Sequence, residues 1–392
     1  MKKSTIITIL AFALGIIVLS LGFILLTDNN ISRKLFETTT TTTAPEVIPD
    51  AEPMDFFSED VSKYVTLGQY KGLEIEVEQV APSQEYIDSQ IELLLINAKQ
   101  YNEIKEGAIS ENAIFSFDYT GYLANEDGSK GEKFDGGTST GQLAYIEGTT
   151  LVTISSSGLG SFIDGFAQGI LGHSVGETFD ISITFPDDYS AEMAGKKTIF
   201  EIKLNFIADT YYTDEWIKEY TEGECNNYAE LEQVFKDSAQ NEIDNTNRDT
   251  AWQKIIENAT VIEIPEQQLN YAYNYFVEDI ESYIEYYSYY GYTVTFEQML
   301  SYYGFSSTAE LKEYAKEVVL SDLVIYAVLQ AEKFEVTDEE YAALIAELIE
   351  STGKTEAEVI EYYGGEEAIK QAMLLDKADK FVVKENNFIV KE

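Results

Sequence analysis

Between residues 109 and 207 apolar side chains recur at every second position, in short runs broken by glycine and aspartate, whereas from about residue 208 they recur every three or four positions. A period of two places alternate side chains on one face of a strand, and a period near 3.6 lines one face of a helix. Two architectures must therefore share the chain. The runs "AIFSFDYTGYL", "LVTISSSG", "GETFDISITF" and "TIFEIKLNFI" read as strands. "NEDGSKG", lying between the first run and "EKFDGG", has the Asn, Asp and Gly of a tight turn and predicts a hairpin. "FIDGFAQGILG" lacks alternation and suits one short helix lying on a sheet. The expected fold is α+β: an antiparallel sheet with one short helix over 109–207, then an all-helical segment over 208–392.

Helix starts in the second segment are marked by Ser307 with Glu310, Thr337 with Glu340 and Thr355 with Glu358, the spacing of a reciprocal capping box. Glycines in "YYGY", "YYGF" and "STGK" mark helix ends. Upstream, "VTLGQYKGLEIEVEQV" reads as a strand, followed by a helix with Ile87, Ile91, Leu94 and Ala98 on one face and Ser83 as its N-cap. Residues 61–108 are expected to lead into the β domain and to pack with the C-terminal domain.

The N-terminus is of a third kind. Thr5 to Leu26 is uncharged and apolar, and about 20 such residues suffice to cross a bilayer as a helix. Lys2 and Lys3 precede it, which favours an N-terminus kept inside and a remainder passed outside. No small-x-small cleavage site follows in "FILLTDNN" and no cysteine is there to carry a lipid. Residues 1–27 are expected to be a transmembrane anchor or signal segment, and 28–60, with "FETTTTTTAPEVIPDAEP", a Thr/Pro-rich tether. The expected location is the cell membrane, single-pass, with the folded part extracytoplasmic.

Composition removes several kinds of chemistry. A formal charge of -44 opposes nucleic acid as a partner, because binding it needs Lys and Arg to displace phosphate counterions. One cysteine, Cys225, excludes an internal disulfide, and one histidine, His173, excludes a zinc site of the usual Cys/His kind. No cofactor or metal is expected. A Ser-His-Asp arrangement would have to use His173, but "LGHSVGE" reads as a tight turn with no nucleophile elbow near it. "GLGSFIDG" lacks the Lys-Ser/Thr of a phosphate loop. What stands out is a set of large apolar residues where turns meet strands: Tyr119, Phe134, Phe162, Ile163, Phe166, Tyr189 and Phe200. Apolar residues at strand spacing are by default core, and periodicity alone does not separate core from pocket.

The segments "FDYTGYL", "KFDGG" and "SFIDGFAQGILGHSVGETFDISITFPDDYSAEMAGKKTIFEIKL" resemble the FKBP-type peptidyl-prolyl isomerase domain of the trigger factor family. "IEIPEQQLNYAYNYF", "EVTDEEYAALIAELI" and "FVVKENNFIVKE" resemble that family's helical chaperone domain, so the resemblance spans roughly residues 61–392. It implies an FKBP-like domain inserted in an elongated all-α chaperone domain. It further implies a proline pocket with Phe162, Ile163 and Phe166 as floor, Tyr119, Phe134 and Phe200 as walls, Asp135 at the edge and Tyr189 reaching over. The basic, glycine-containing ribosome-docking signature of the family is absent from this sequence, so no ribosome docking is expected, and the apolar run and tether stand in its place. Two departures fall at the pocket. Asp164 stands where the family has proline, and "TSTGQLAYIEGTT" and "SSSGLG" lengthen the chain between "DGG" and "SFIDGF", with Tyr145 a candidate to replace an aromatic missing from that strand. The implied function is a membrane-tethered extracytoplasmic folding factor that isomerises X-Pro bonds and holds unfolded clients; the alternative is a holdase that keeps the fold with little isomerase activity. The tyrosine-rich stretch over 269–305 suits adaptable contact with unfolded chains, each ring being both apolar and hydrogen-bonding.

Overall fold

The computed structural model describes Val47, residues 51–155, 158–190 and 192–391. The expected anchor over residues 1–27 and most of the tether lie outside the described residues. Among the described residues no helix is long and apolar enough to cross a membrane. The chain forms two compact units, Pro82–Ala239 and a second assembled from residues before 82 and after 239.

Upstream of the first unit the segment expected to be one strand is two, β1 (Val65–Thr66) and β2 (Glu74–Val77). Gly72, with φ of 65°, turns the chain between them. The first unit opens with helix α1 (Gln84–Asn97), whose Ser83 Oγ accepts from the Tyr86 N–H as its N-cap. Strands β3 (Tyr101–Ile104), β4 (Phe115–Ala124), β5 (Lys130–Glu147), β6 (Thr150–Ser155) and β7 (Gly158–Ser161) follow, then helix α2 (Phe166–Ile170), and strands β8 (Thr178–Thr184) and β9 (Lys197–Thr210). They make an antiparallel sheet in the order β3-β9-β4-β5-β6-β7, with β8 paired to β9. The expected hairpin joins β4 to β5: Asn125 N–H donates to Ser129 O, and Gly128 N–H to Asn125 O.

Alternation decides the two faces of this sheet. Phe115 and Phe117 of β4, Ala144 and Ile146 of β5, Ile181 and Ile183 of β8 and Phe200, Ile202 and Leu204 of β9 point into one core with Phe166, Ala167 and Ile170 of α2. A Cβ on Gly169 would lie 2.6 Å from Ile181 Cγ2, so α2 sits closer to the sheet than any other residue there would permit. The opposite face carries Tyr101, Leu143, Tyr145, Ile154 and Phe206, packed against Leu93 and Ile96 of α1. The lengthened text after "DGG" is thus ordinary sheet, the second half of β5 hairpinned onto β6 and β7. Helix α3 (Asp214–Tyr220) and the start of α4 (Tyr228–Asn258) complete the unit, with Ile217 and Leu231 packed against Ile87, Ile91 and Leu95. The compact unit is consequently wider than residues 109–207.

The other unit contains β10 (Thr260–Val261), helices α5 (Glu266–Tyr289), α6 (Phe296–Tyr302), α7 (Thr308–Glu332), α8 (Asp338–Thr352), α9 (Glu356–Tyr362) and α10 (Glu366–Glu385), and strand β11 (Asn387–Val390). It is mostly but not wholly helical: β1 pairs antiparallel with β10, and β2 parallel with β11. Short strands of this kind are specified by a partner distant in sequence, which a local period cannot show. Thr337 and Thr355 form full capping boxes with Glu340 and Glu358. At the third site Ser307 caps α7, but Glu310 turns its carboxylate to Ser306 N and Oγ instead of completing the box. A fourth box, Thr295 with Gln298, starts α6. Gly353, at φ of 68°, ends α8 as expected of a left-handed cap.

Candidate functional site

The site is built at one end of the inner sheet face, where β4, β5, β8, β9 and the approach to α2 converge. Phe162 packs tilted against Phe166 at a centroid distance of 4.5 Å, and Phe166 meets Phe200 edge-on at 4.7 Å. Tyr119 stands edge-on to Phe162 at 5.2 Å and faces Phe200 at 6.2 Å. On the far side Phe134 contacts Phe200 edge-on at 5.7 Å. Phe166 and Phe200 are 1% and 3% exposed and form the base, while Tyr119, Phe134, Phe162 and Ile163 are half-buried and form the surface above it. Of the eight residues expected at the pocket, these six come together as one cluster. Tyr189 joins from the loop after β8 through a residue the sequence reading left out, Phe185, which lies 4.7 Å from Tyr189 and 5.9 Å from Phe134. Phe185 continues the alternation of Ile181 and Ile183, and that signal would have found it. Asp135 is exposed and makes no ring contact. Tyr145 lies on the other sheet face, against α1, because Ala144 and Ile146 on either side of it point inward; it replaces nothing in the cluster.

Phe134 is placed by a bulge. Tyr122 of β4 pairs with Lys133, and Thr120 with Thr138, so Phe134, Asp135, Gly136 and Gly137 stand opposite the single residue Gly121. Extra residues in one strand re-aim a side chain. Here the ring folds back over two glycines: a Cβ on Gly121 would lie 2.6 Å from Phe134 Cζ and 2.8 Å from Phe200 Cε1, and one on Gly137 would lie 2.7 Å from Phe134 Cε2. Gly137→Ala should therefore displace the Phe134 ring and cost roughly 1–3 kcal/mol. The check is urea unfolding together with the fluorescence of a bound proline peptide; an unchanged affinity would show that Phe134 is not part of the binding surface.

Polar groups at the cluster are few. Phe162 N–H donates to Leu151 O, but the next amide, that of Ile163, donates to no acceptor among the described residues. Gly165 then takes φ of 101° and starts α2, a conformation that glycine adopts without strain. Neither the Tyr119 nor the Tyr189 hydroxyl makes a hydrogen bond among the described residues. Burial, and secondly the neighbouring Tyr189, push the Tyr119 phenol up, so it stays an O–H donor. Asp164 is exposed. His173 is apart from all this: its ring stacks on Phe179 at 3.6 Å and its Nδ1 lies 2.7 Å from Glu177 Oε2, a turn histidine with no nucleophile beside it. The arrangement is an apolar, aromatic cluster with an unengaged backbone donor and two phenol donors beside it.

An antiparallel sheet with one short helix on its face, aromatic residues at the strand ends and an unengaged amide before the helix make this a mixed α/β unit of the kind the sequence resemblance implies. Residues 105–205 match the family model "FKBP-type peptidyl-prolyl cis-trans isomerase" and residues 227–384 match "Bacterial trigger factor protein (TF) C-terminus". Trigger factor of Macrococcus caseolyticus is 29% identical over 342 residues, 83% of this chain and 73% of that protein. Trigger factor of Bacillus subtilis is 27% identical over 334 residues, 82% of this chain and 73% of the relative. A solved structure described as "Promiscuous Substrate Recognition in Folding and Assembly Activities of the Trigger Factor Chaperone" aligns with 82% of this chain and 72% of that chain at 17% identity and a TM-score of 0.32. The chain is thus similar to trigger factors, with one region that matches the FKBP-type model and a later one that matches the trigger factor C-terminus model.

Proposed function

We propose that this protein is a membrane-tethered, extracytoplasmic folding factor that isomerises X-Pro peptide bonds in unfolded clients and holds those clients against aggregation. The observation that carries the isomerase reading is the pairing of the aromatic cluster with the unengaged Ile163 amide at its rim. Rotation about X-Pro is slow because amide resonance imposes a barrier of about 18–20 kcal/mol. No proton transfer or metal is needed to lower it. The twisted amide has lost resonance and carries less separated charge, so a dry aromatic surface disfavours the planar ground state relative to it. The proline ring sits over Phe162, between Tyr119 and Phe134, with Phe166 and Phe200 beneath, while Ile163 N–H and the Tyr189 O–H hold the carbonyl. Together these would supply about 7 kcal/mol for a ~10⁵-fold acceleration.

The tether and location rest on the sequence: the uncharged run Thr5 to Leu26 with two preceding lysines, and the Thr/Pro-rich stretch behind it. Client holding is supported by the resemblance to trigger factors and by exposed tyrosines. Tyr286, Tyr289, Tyr290 and Tyr292, at the end of α5 and just beyond, are 52–85% exposed, whereas Tyr273 is buried and Tyr303 and Tyr314 are packed against the core. A second reading, a holdase with little isomerase activity, is favoured by Asp164, an exposed carboxylate at the pocket floor where the family pattern has proline.

The test is proline-limited refolding of a slow-folding protein with the full-length chain at catalytic concentration. Acceleration of the slow phase, diminished in Tyr119→Phe and Tyr189→Phe, is the expected result. Suppressed aggregation with an unchanged slow phase would select the holdase reading.

A further inference from the structure

We infer that the free edge of β7 takes up the residues flanking the client proline, which add to the sheet as a further strand; this rests on the pocket assignment just proposed. β7 is a terminal strand of the seven-stranded sheet, paired among the described residues to β6 alone. All four of its residues are exposed, with Leu159 at 54%.

The direction of its backbone groups follows from the register. Leu151 and Phe162 are partners through the Phe162 N–H to Leu151 O bond, and Val152 pairs with Ser161, Thr153 with Gly160 and Ile154 with Leu159. Hydrogen-bonded and non-hydrogen-bonded pairs alternate in an antiparallel ladder. Gly160 and Phe162 therefore turn their amides toward β6, and Leu159 and Ser161 turn theirs outward. Ile163 is next in the same outward series, and its amide is the free donor at the proline cluster. The edge and the pocket are one continuous row of backbone groups. From Leu159 to Ile163 the row spans about 13 Å, enough for roughly four residues of extended peptide.

Exposed edges are usually blunted by charge, proline or a bulge, because they invite pairing with other chains. β7 has none of these. From Gly148 through Ile163 not one side chain is charged, in a protein whose residues are 24% charged. By contrast the opposite edge, β3, carries Glu103 and is followed at once by Lys105. An uncharged edge recognises backbone and not side chains, which suits an occupant of arbitrary sequence: an extended segment of an unfolded polypeptide, held through main-chain hydrogen bonds.

The experiment compares a proline tetrapeptide with an octapeptide sharing its core, using the full-length protein. The octapeptide should show a KM about tenfold lower at similar kcat, the worth of two or so further hydrogen bonds. N-methylation of the octapeptide at alternate backbone positions on one side of the proline should return its KM to that of the tetrapeptide, and methylation at the intervening positions should not. Leu159→Pro, which removes an outward donor without breaking the β6–β7 ladder, should erase the octapeptide's advantage. Equal KM values, or indifference to N-methylation, would overturn the edge assignment while leaving isomerisation intact. Should neither peptide be turned over, the pocket reading fails, and anisotropy of the labelled octapeptide and its N-methylated forms still decides whether the edge binds.

Discussion

Phe166→Ala should unfold the β domain well before it informs on catalysis, lowering stability by about 3–5 kcal/mol. Phe166 is 1% exposed, lies under Phe162 and beside Phe200, and belongs to the core that α2 shares with the sheet. Its truncation leaves a cavity among residues that cannot collapse, since Ile181 is already in close contact with Gly169. Phe162→Ala is the contrasting variant. That ring is half-buried and faces outward from the same stack, so its loss should cost less stability but remove the surface on which the proline ring turns. A fall of about 100-fold in kcat/KM, roughly 3 kcal/mol of lost transition-state stabilisation, is expected. Urea unfolding and peptide isomerisation measured on both variants separate the two roles. A Phe162→Ala protein with normal turnover would remove that residue from the site.

Asp322→Asn should make the protein more stable at neutral pH and flatten its stability profile between pH 4 and 7. Asp322 lies in α7 among Val318, Val319, Leu323 and Val324, is 8% exposed, and accepts no hydrogen bond among the described residues. Burial pushes its carboxyl up to about 7. Between the unfolded value near 4 and the folded value the native state holds a proton that the unfolded state has lost, so stability falls as pH rises through this window. Above it the native chain carries a buried, unpaired charge, at a cost on the order of 4 kcal/mol. The amide removes the charge and should be nearly neutral at pH 4 but stabilising by that order at pH 8. Asp379 supplies a smaller slope of the same sign: burial raises it to about 6, opposed by Arg248 and by the Trp252 Nε1–H at 2.8 Å. Urea midpoints at four pH values for both proteins give the answer, and parallel profiles would sink the argument.

Tyr326, one turn further along α7, is itself raised by burial and by Asp322, and no cation is placed against either group by the interactions described. The helix thus carries an uncompensated acid that a neutral residue of the same shape would relieve.

Local order was legible wherever a signal repeats within one element. The alternation of "FSFDYTG" and "IFEIKL", the Thr337 and Thr355 capping boxes, Ser83 and the Asn125–Ser129 turn all depend on neighbours a few residues apart, and each formed as its chemistry requires. The aromatic residues of the site were also visible as a set, because their spacing at strand ends and their resemblance to a known domain are properties of the text. Pairing was not. β2 with β11, separated by about 310 positions, and β1 with β10 are decided by long-range hydrogen bonds that leave no period in the sequence. The side of the sheet taken by Tyr145, the bulge that folds Phe134 over Gly121 and Gly137, and the entry of Phe185 into the cluster depend on register, in which a one-residue shift sends a side chain to the opposite face. The sequence determined by itself which segments are strand or helix and which residue types could receive a proline; the tertiary structure decided which of those residues meet and which sheet edge is left open, because contact and exposure are settled by packing across the chain and not along it.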